Sequence, residues 1–170
     1  MNVAGLDIST RNLDFVILNT EHPSECEHRR VELATEDGKW WESARGMRAA
    51  LDSLEHSEMD DYPWIEFFTY CGVSLLGIER PYGPSRGSIA SLHTILGAVL
   101  ATIPQHITVL EVRPAEMRKY LSLPGNCKKE QMHSAIRDLR VATSAWPPDA
   151  LDAWAVAWAA YRMCEKAAAA

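Results

Sequence analysis

The chain has 170 residues, of which 47% are hydrophobic and 24% are charged. This length and balance are enough for one domain with a buried core, and they argue against a disordered chain or a coiled coil. The net charge of −6 is unevenly distributed, because residues 1–79 carry a net −10 and residues 80–140 carry a net +5. The middle of the chain is therefore the part that could face phosphates.

Neither a signal peptide nor a membrane span is expected. The first residues lack a basic region followed by an apolar one, and no apolar run reaches the roughly 18 residues needed to cross a bilayer. We therefore expect a cytoplasmic protein that does not enter a membrane. The cysteines show neither Cys-x-x-Cys pairs nor zinc-finger spacing, so we predict reduced thiols at Cys26, Cys71, Cys127 and Cys164.

Short apolar runs predict the first strands. Residues 3–8 and 13–18 are typical of two strands joined by a tight loop, and a third strand is expected near residues 29–34. Apolar residues then recur at three- and four-residue spacing from Trp40 to Leu54. This spacing predicts an amphipathic helix that covers one face of the sheet.

The second half of the chain predicts alternating strands and helices. Residues 73–79 indicate a buried strand with Glu79 at its C-terminal end. Ser88 is the expected cap of a helix that runs to about Ile103. The later predicted elements are a strand over residues 107–112, a short helix from Pro114, a helix over residues 128–139 and a last helix from about Pro148.

Together these elements predict an α/β fold with a mixed five-stranded sheet flanked by helices. We expect a single domain over residues 1–166. The alanines at residues 167–170 are expected to form a frayed tail.

Two carboxylates stand where apolar strands end. Asp7 interrupts the first strand and Glu79 ends the fourth, and burying a carboxylate costs several kcal/mol unless a partner compensates. Each position has an ordinary explanation. Asp7 could be a hydrogen-bonded or arginine-paired structural residue, and Glu79 could form an ion pair with Arg80 or Arg86.

Two further carboxylates, Asp149 and Asp152, are three residues apart at the start of the last helix and so share one helix face. In isolation, Asp149 is a natural helix cap and Asp152 a favourable first-turn charge. Capping does not explain why two apolar strands also end in carboxylates, whereas a shared site for a hard divalent cation explains all four. Mg²⁺ and Mn²⁺ prefer such oxygen ligands, while zinc recruits His or Cys. Two such ions about 3.5–4 Å apart could drive phosphodiester hydrolysis, so we predict nuclease chemistry.

At these motifs the chain resembles the RuvC-type Holliday-junction resolvases. The matching segments are GLDIST with Asp7, GIERPYG with Glu79, and PDALDAWAVAWA with Asp149 and Asp152, in the family's order and spacing. The resemblance implies a ribonuclease-H-like fold and a crossover junction endodeoxyribonuclease that resolves Holliday junctions by paired nicks. It also implies that the four carboxylates bind two Mg²⁺ ions per active site, with Mn²⁺ as a possible substitute, and that a homodimer acts on branched DNA.

The resemblance extends to DNA contacts. Lys129 occupies the place of a family lysine near the scissile phosphate, which implies a catalytic role, and Arg118 matches a second family lysine less closely. Tyr82 has the offset of an aromatic residue that stacks in the opened junction. The ordinary alternatives are a solvated helix face for the basic residues and a surface turn for Tyr82. The full set of expected DNA-binding residues is Arg80, Tyr82, Arg86, Arg118, Lys128 and Lys129.

The chain departs from the family pattern in two places. Asp14 replaces a glycine that is common where the second strand begins, so we expect it either to disturb the first hairpin or to face solvent. The acidic, tryptophan-containing segment 36–66 has no obvious family counterpart. Neither departure removes a carboxylate.

Three alternatives stay open on sequence alone. A ribonuclease H would use the same four carboxylates on RNA–DNA hybrids, and a junction-binding module would lack catalysis. A sugar-kinase or actin-like ATPase has a first phosphate loop similar to GLDIST, but it needs two lobes and 170 residues provide one. The filled carboxylate positions count against the binding module. Cleavage preference, any partner helicase and origin are not determined by the sequence, and a bacteriophage origin would place the protein in the host cytoplasm.

Overall fold

A computed structural model describes most of the chain. The described residues are 1–9, 12–22, 25–32, 58–59, 62–63, 68–81, 86–139 and 145–169. The helix predicted between Trp40 and Leu54, most of the segment 36–66 and the side chain of Tyr82 lie outside them.

A five-stranded mixed sheet forms the centre of the fold. Its strands are β1 (Asn2–Ile8), β2 (Asn12–Asn19), β3 (Cys26–Glu32), β6 (Val73–Glu79) and β7 (Thr108–Val112), and a separate short pair consists of β4 (Glu58–Met59) and β5 (Tyr62–Pro63). The order across the sheet is β3-β2-β1-β6-β7. The first three strands pair antiparallel, whereas β6 runs parallel to both β1 and β7. This sheet confirms the predicted fold class.

Four helices complete the described elements. They are α1 (Arg86–Thr102), α2 (Pro114–Tyr120), α3 (Lys129–Asp138) and α4 (Pro148–Ala168). Within the described parts of the chain, no helix combines the length and apolarity needed to cross a membrane.

Three elements differ from the predicted boundaries by two or more residues. The third strand begins at Cys26, earlier than predicted, because its pairing with β2 begins at Leu18. Helix α1 begins at Arg86, so the prediction that Ser88 caps it is wrong; serine is tolerated inside a first turn, where its type alone does not fix the helix start. Helix α4 continues to Ala168, into the predicted tail, which fits the high helix propensity of alanine.

The two faces of the sheet carry separate apolar clusters. On β1, Val3 packs in the cluster that contains Leu151 of α4. Leu6, which points to the opposite face of β1, belongs to the other cluster with Ile95 and Val99 of α1. Because side chains alternate along a strand, Asp7 lies on the same face as Val3, beneath α4.

Two glycines let α4 lie directly on the sheet. A Cβ atom at Gly5 of β1 would lie 2.1 Å from the Ala153 carbonyl oxygen, and one at Gly77 of β6 would lie 2.8 Å from the Ala160 Cβ. Only glycine therefore permits this close approach. The start of α4, which carries Asp149 and Asp152, is consequently held beside the carboxyl end of β1.

Candidate active site

Carboxylates from two elements meet at this end of the sheet. Asp7 comes from β1, and Asp149 and Asp152 come from the start of α4. One oxygen from each of the three side chains lies within 4.8 Å of the other two. Asp152 is 3% exposed, whereas Asp7 and Asp149 are half-buried. The group is partly shielded from water but open on one side.

Glu79 lies at the edge of the same site. It is the last residue of β6, the parallel neighbour of β1, and it lines a cavity of about 150 Å³ together with Asp7. A second cavity, of about 510 Å³, is lined by both Glu79 and Asp152. The structure thus brings three of the four predicted ligands together and places the fourth beside them.

The site carries crowded negative charge. Burial, together with the charges of Asp152 and Glu79, raises the pKa of Asp7 from 3.8 to about 8. Burial and the charge of Asp152 also raise the pKa of Glu79. Both shifts mean that burial and the neighbouring negative charges disfavour the ionised carboxylates.

Helix α3 contributes two groups that hold Asp152. His133 is 7% exposed, and its Nε2 donates a hydrogen bond to Asp152 Oδ1 at 2.8 Å. Lys129 Nζ forms an ion pair with Asp152 Oδ2. Burial lowers the pKa of Lys129, but the bond to Asp152 outweighs burial, so the pKa is raised overall and the ammonium stays charged. The residues Lys129 and His133 are four apart on one helix face, which lets both reach the same carboxylate.

The expectation for Asp14 is wrong on both counts. Its side chain is buried, at 2% exposure for the residue, and the β1–β2 pairing is continuous from Asn2–Asn19 to Ile8–Leu13. The hairpin tolerates Asp14 because two donors compensate it: His28 Nε2 lies 2.8 Å from its Oδ1, and Arg30 Nε lies 3.0 Å from Oδ1 and 3.2 Å from Oδ2. Burial alone would raise the pKa of Asp14, but these hydrogen bonds lower it.

Arg30 also reaches the site itself. Its Nη2 donates a hydrogen bond to Asp149 Oδ2 at 3.0 Å, which joins β3 to the start of α4. Each of the two carboxylates at the start of α4 is therefore held by side chains from another element: Asp149 by Arg30, and Asp152 by His133 and Lys129.

Sequence reasoning missed Arg30, His28 and His133. The four-residue spacing between Lys129 and His133 was a usable signal, because it places both on one face of a predicted helix. No comparable local signal marked Arg30. Its contact with Asp149 joins residues 119 positions apart.

The larger cavity has a basic and partly apolar lining. Three cationic residues, Arg113, Arg118 and Lys129, border it together with the carboxylates. Its apolar lining is provided by Pro114, Ala115, Met117 and Met132. The cavity therefore offers two kinds of group beside the carboxylates. Its cations are of the kind that bind phosphates, and its apolar side chains are of the kind that contact sugars or bases.

Besides Lys129, three of the predicted DNA-binding residues have described side chains: Arg80, Arg118 and Lys128. Arg80 is exposed and forms an ion pair with Glu111 at 3.1 Å rather than with Glu79. Arg118 Nη1 donates to the Gly125 carbonyl at 3.2 Å. Lys128 is exposed at the start of α3. Arg86 begins α1, but its side chain is outside the described part, as is Tyr82.

The donor set fits a hard divalent cation. All four side chains offer carboxylate oxygens, the ligands that Mg²⁺ and Mn²⁺ prefer. A positive group, the Lys129 ammonium, already contacts one of them. The raised pKa of Asp7 also shows that this cluster would gain from a closer cation.

Comparison with known proteins identifies the fold. No protein-family model matches the chain. RuvC from T. thermophilus in complex with a Holliday junction substrate superposes with a TM-score of 0.68 at 16% identity, covering 98% of this chain and 96% of that chain. A second Thermus thermophilus RuvC structure gives a TM-score of 0.67 at 15% identity, with 98% and 97% coverage. The chain has the ribonuclease-H-like fold of RuvC.

The predicted resemblance to RuvC-type resolvases is thereby confirmed for the fold. It covers nearly the whole length of both RuvC chains. A fowlpox virus resolvase in complex with substrate Holliday junction DNA also matches, at 13% identity over 98% of this chain and 99% of that chain, but its TM-score of 0.44 is too low to carry an argument.

Proposed function

We propose that this protein is a metal-dependent, structure-selective endonuclease that resolves Holliday junctions and other branched DNA by paired nicks. The observation that carries the proposal is the approach of Asp7, Asp149 and Asp152 oxygens to within 4.8 Å of one another beside a cleft lined by cations. One of the RuvC structures with this fold contains a Holliday junction substrate, which supports branched DNA as the ligand class.

In this proposal the metal ligands are Asp7, Glu79, Asp149 and Asp152, which would hold two Mg²⁺ or Mn²⁺ ions per active site. Bound divalent ions would make a water molecule more acidic and stabilise charge on the phosphodiester. The water attacks phosphorus and the bond from phosphorus to the 3′ oxygen breaks, which leaves a 5′-phosphate and a 3′-hydroxyl. Such ends can be rejoined by a ligase.

The chain's own cations would bind and orient the substrate. Lys129 lies at the border of both the carboxylate group and the larger cavity. In the proposal its ammonium would contact the scissile phosphate. Arg118 lines the same cavity and would hold an adjacent phosphate. Arg80, Arg86 and Lys128 would contact the backbone further out, and Tyr82 would stack on bases at the opened crossover.

Paired nicks need two active sites related by symmetry, and a homodimer supplies them. A four-way junction presents two equivalent strands, and two-fold dimers are the commonest oligomers. Residues of α1 are divided between core and surface: Ile95 and Val99 are buried, whereas Leu100 is 41% exposed. Leu100 is therefore an apolar side chain of α1 that is available for a dimer contact.

A cleavage assay on a synthetic four-way junction tests the function. We expect Mg²⁺-dependent nicking that EDTA abolishes, with little cutting of a linear duplex of the same sequence. Glu79→Gln is expected to lower the rate about 100-fold or more, because it removes one charge from the metal ligands. Asp138→Asn, at an exposed carboxylate at the far end of α3, is the matched control and should cut at the native rate.

The same assay separates the alternatives. Faster cutting of an RNA–DNA hybrid than of the junction would indicate a ribonuclease H. Tight junction binding without cutting in Mg²⁺ or Mn²⁺ would indicate a binding module. On a supercoiled plasmid that extrudes a cruciform, paired nicks yield linear DNA directly, whereas nicked circles as the main product would contradict action as a dimer.

A further inference from the structure

A row of three charged residues crosses the sheet beneath the start of α4. Asp7 on β1 is the cross-strand partner of Asp14 on β2, and Asp14 is the partner of Arg30 on β3. Directly paired residues point to the same face of a sheet, so all three side chains lie on the face that α4 covers. The row ends at Asp149 through the bond from Arg30.

Arg30 is fixed in this row by Asp14. The Asp14 side chain is 3% exposed, and Arg30 Nε contacts both of its oxygens, at 3.0 and 3.2 Å. A buried carboxylate is costly to leave unpaired, so the guanidinium is held in place by the need to neutralise it. One of the two other guanidinium nitrogens, Nη2, is then directed at Asp149 Oδ2.

Asp149 needs such a constraint. Its side chain is 48% exposed, in contrast to the buried Asp152, which has His133 and Lys129 to hold it. An exposed aspartate without a partner samples several rotamers, and fixing it when a ligand binds costs free energy. The bond to Arg30 occupies one oxygen of Asp149 and leaves the other for a ligand.

We propose that Arg30, anchored by the buried carboxylate of Asp14, is a positioning residue that preorganises Asp149 for divalent metal binding. The inference rests on the proposed function only in taking Asp149 as a metal ligand. Removing a group that orients a metal-binding side chain typically lowers the metal affinity by about 10–100-fold.

The charges must be changed in a matched way. Arg30→Gln alone would leave Asp14 buried without its main partner, which could unfold the protein, and it would also make the site more negative. The double variant Asp14→Asn/Arg30→Gln removes both charges of the pair, so the net charge near the site is unchanged. It removes the anchored guanidinium and keeps groups of similar size.

His28→Gln is the control for a purely structural role. His28 contacts Asp14 Oδ1 at 2.8 Å, and its ring packs near Trp146, with centroids 5.7 Å apart. Its loss loosens the same buried carboxylate without removing the bond from Arg30 to Asp149.

The test is a titration of metal-free protein with Mn²⁺ and no DNA, in which electron paramagnetic resonance counts the free ion. We expect about tenfold weaker Mn²⁺ binding by the double variant and native affinity for His28→Gln. In junction cleavage, the Mn²⁺ concentration for half-maximal rate should rise by a similar factor, while the rate at saturating Mn²⁺ should stay within about twofold of native.

Two outcomes overturn the inference while leaving the proposed function intact. In one, the double variant binds Mn²⁺ as tightly as the native protein. In the other, His28→Gln weakens binding as much as the double variant does, which would show general loosening rather than positioning. Native protein that binds no Mn²⁺ at all would instead contradict the metal site itself, and the inference with it.

Discussion

At the scale of single residues, Asp7 is the position where the stability of the fold and the proposed function make opposite demands. Burial, together with the neighbouring Asp152 and Glu79, raises its pKa to about 8, so near neutral pH the metal-free protein keeps a proton on it. A cation must displace that proton in order to bind. Unfavourable burial of a carboxylate beside other carboxylates is expected at a site such as the proposed cation site.

The raised pKa of Asp7 predicts how stability depends on pH. Because the folded protein holds this proton up to about pH 8 while the unfolded chain releases it near 3.8, the free energy of unfolding should fall as pH rises through that interval. Asp7→Asn removes this term. In EDTA we therefore expect the variant to be more stable than the native protein by about 2–5 kcal/mol at pH 9, with the difference vanishing near pH 4.

Urea denaturation at a series of pH values measures this difference. Parallel stability curves for the two proteins would contradict the assignment of the shift to Asp7. As a second readout, saturating Mn²⁺ at pH 8 should stabilise the native protein and leave Asp7→Asn nearly unchanged, because only the native cluster binds the ion.

The sequence alone points to some residues of the candidate site and not to others. Asp7 could be identified because a carboxylate in an apolar strand is unusual, and Asp149 and Asp152 because their spacing gives them one helix face. The pairing of Asp14 with Arg30, and their place beside Asp7, could not be predicted, since both depend on the register of two strand pairs. Register is decided by the whole buried face of a strand and not by either residue alone.

At the scale of elements, the contact between α4 and the sheet positions the carboxylates. Helix α4 crosses β1 at Gly5 and β6 at Gly77, and at both points its backbone or a small side chain occupies the space of a Cβ atom. The alanines of α4 that face the sheet, including Ala153, Ala157 and Ala160, are all fully buried. Small residues on both sides of this interface bring the helix closer than larger ones would permit.

The close contact at Gly77 predicts that an alanine there destabilises the fold, whereas an alanine at Gly97 should stabilise it. A Cβ at Gly77 would meet the Val156 carbonyl at 2.9 Å and the Ala160 Cβ at 2.8 Å, so Gly77→Ala should destabilise the fold by about 1–3 kcal/mol. Gly97, inside the exposed part of α1, has nothing within 4 Å of the same position. Gly97→Ala should stabilise the fold by about 0.5–1 kcal/mol through helix propensity.

Urea denaturation of the two variants, compared through the midpoint at constant slope, provides the measurement. A neutral or stabilising Gly77→Ala would show that α4 is not seated against β6 as described.

Element types along the second half of the chain were predictable from periodicity. The depth at which α4 sits was not, because it depends on which small residues face each other across two elements.

At the scale of the whole molecule, the chain carries a net negative charge, whereas several cations border the larger cavity. The overall charge is −6, yet residues 80–140 carry a net +5, and three of their cations border the cavity beside the carboxylates. Under the proposed function, the negative remainder would lower affinity for DNA in general, while the local cations would favour DNA that fits the cleft. Such a distribution favours recognition of shape over binding to any duplex.

This division of charge predicts the salt dependence of junction binding. Arg113 is exposed and borders the cavity, whereas Lys166 is exposed near the other end of α4, about 25 Å from Asp149 along the helix axis. If Arg113 neutralises one phosphate, Arg113→Gln should reduce the slope of log affinity against log salt concentration by about 1, and Lys166→Gln should leave it unchanged.

Binding is measured by fluorescence anisotropy of a labelled four-way junction in EDTA, so that no cutting intervenes, at several salt concentrations. Equal slopes for Arg113→Gln and the native protein would exclude a phosphate contact at this residue. Equal losses in the two variants would mean that binding follows the total charge. In that case the cleft would not be the path of the DNA, since a path through the cleft requires the cation beside the carboxylates to matter and the distant one not to.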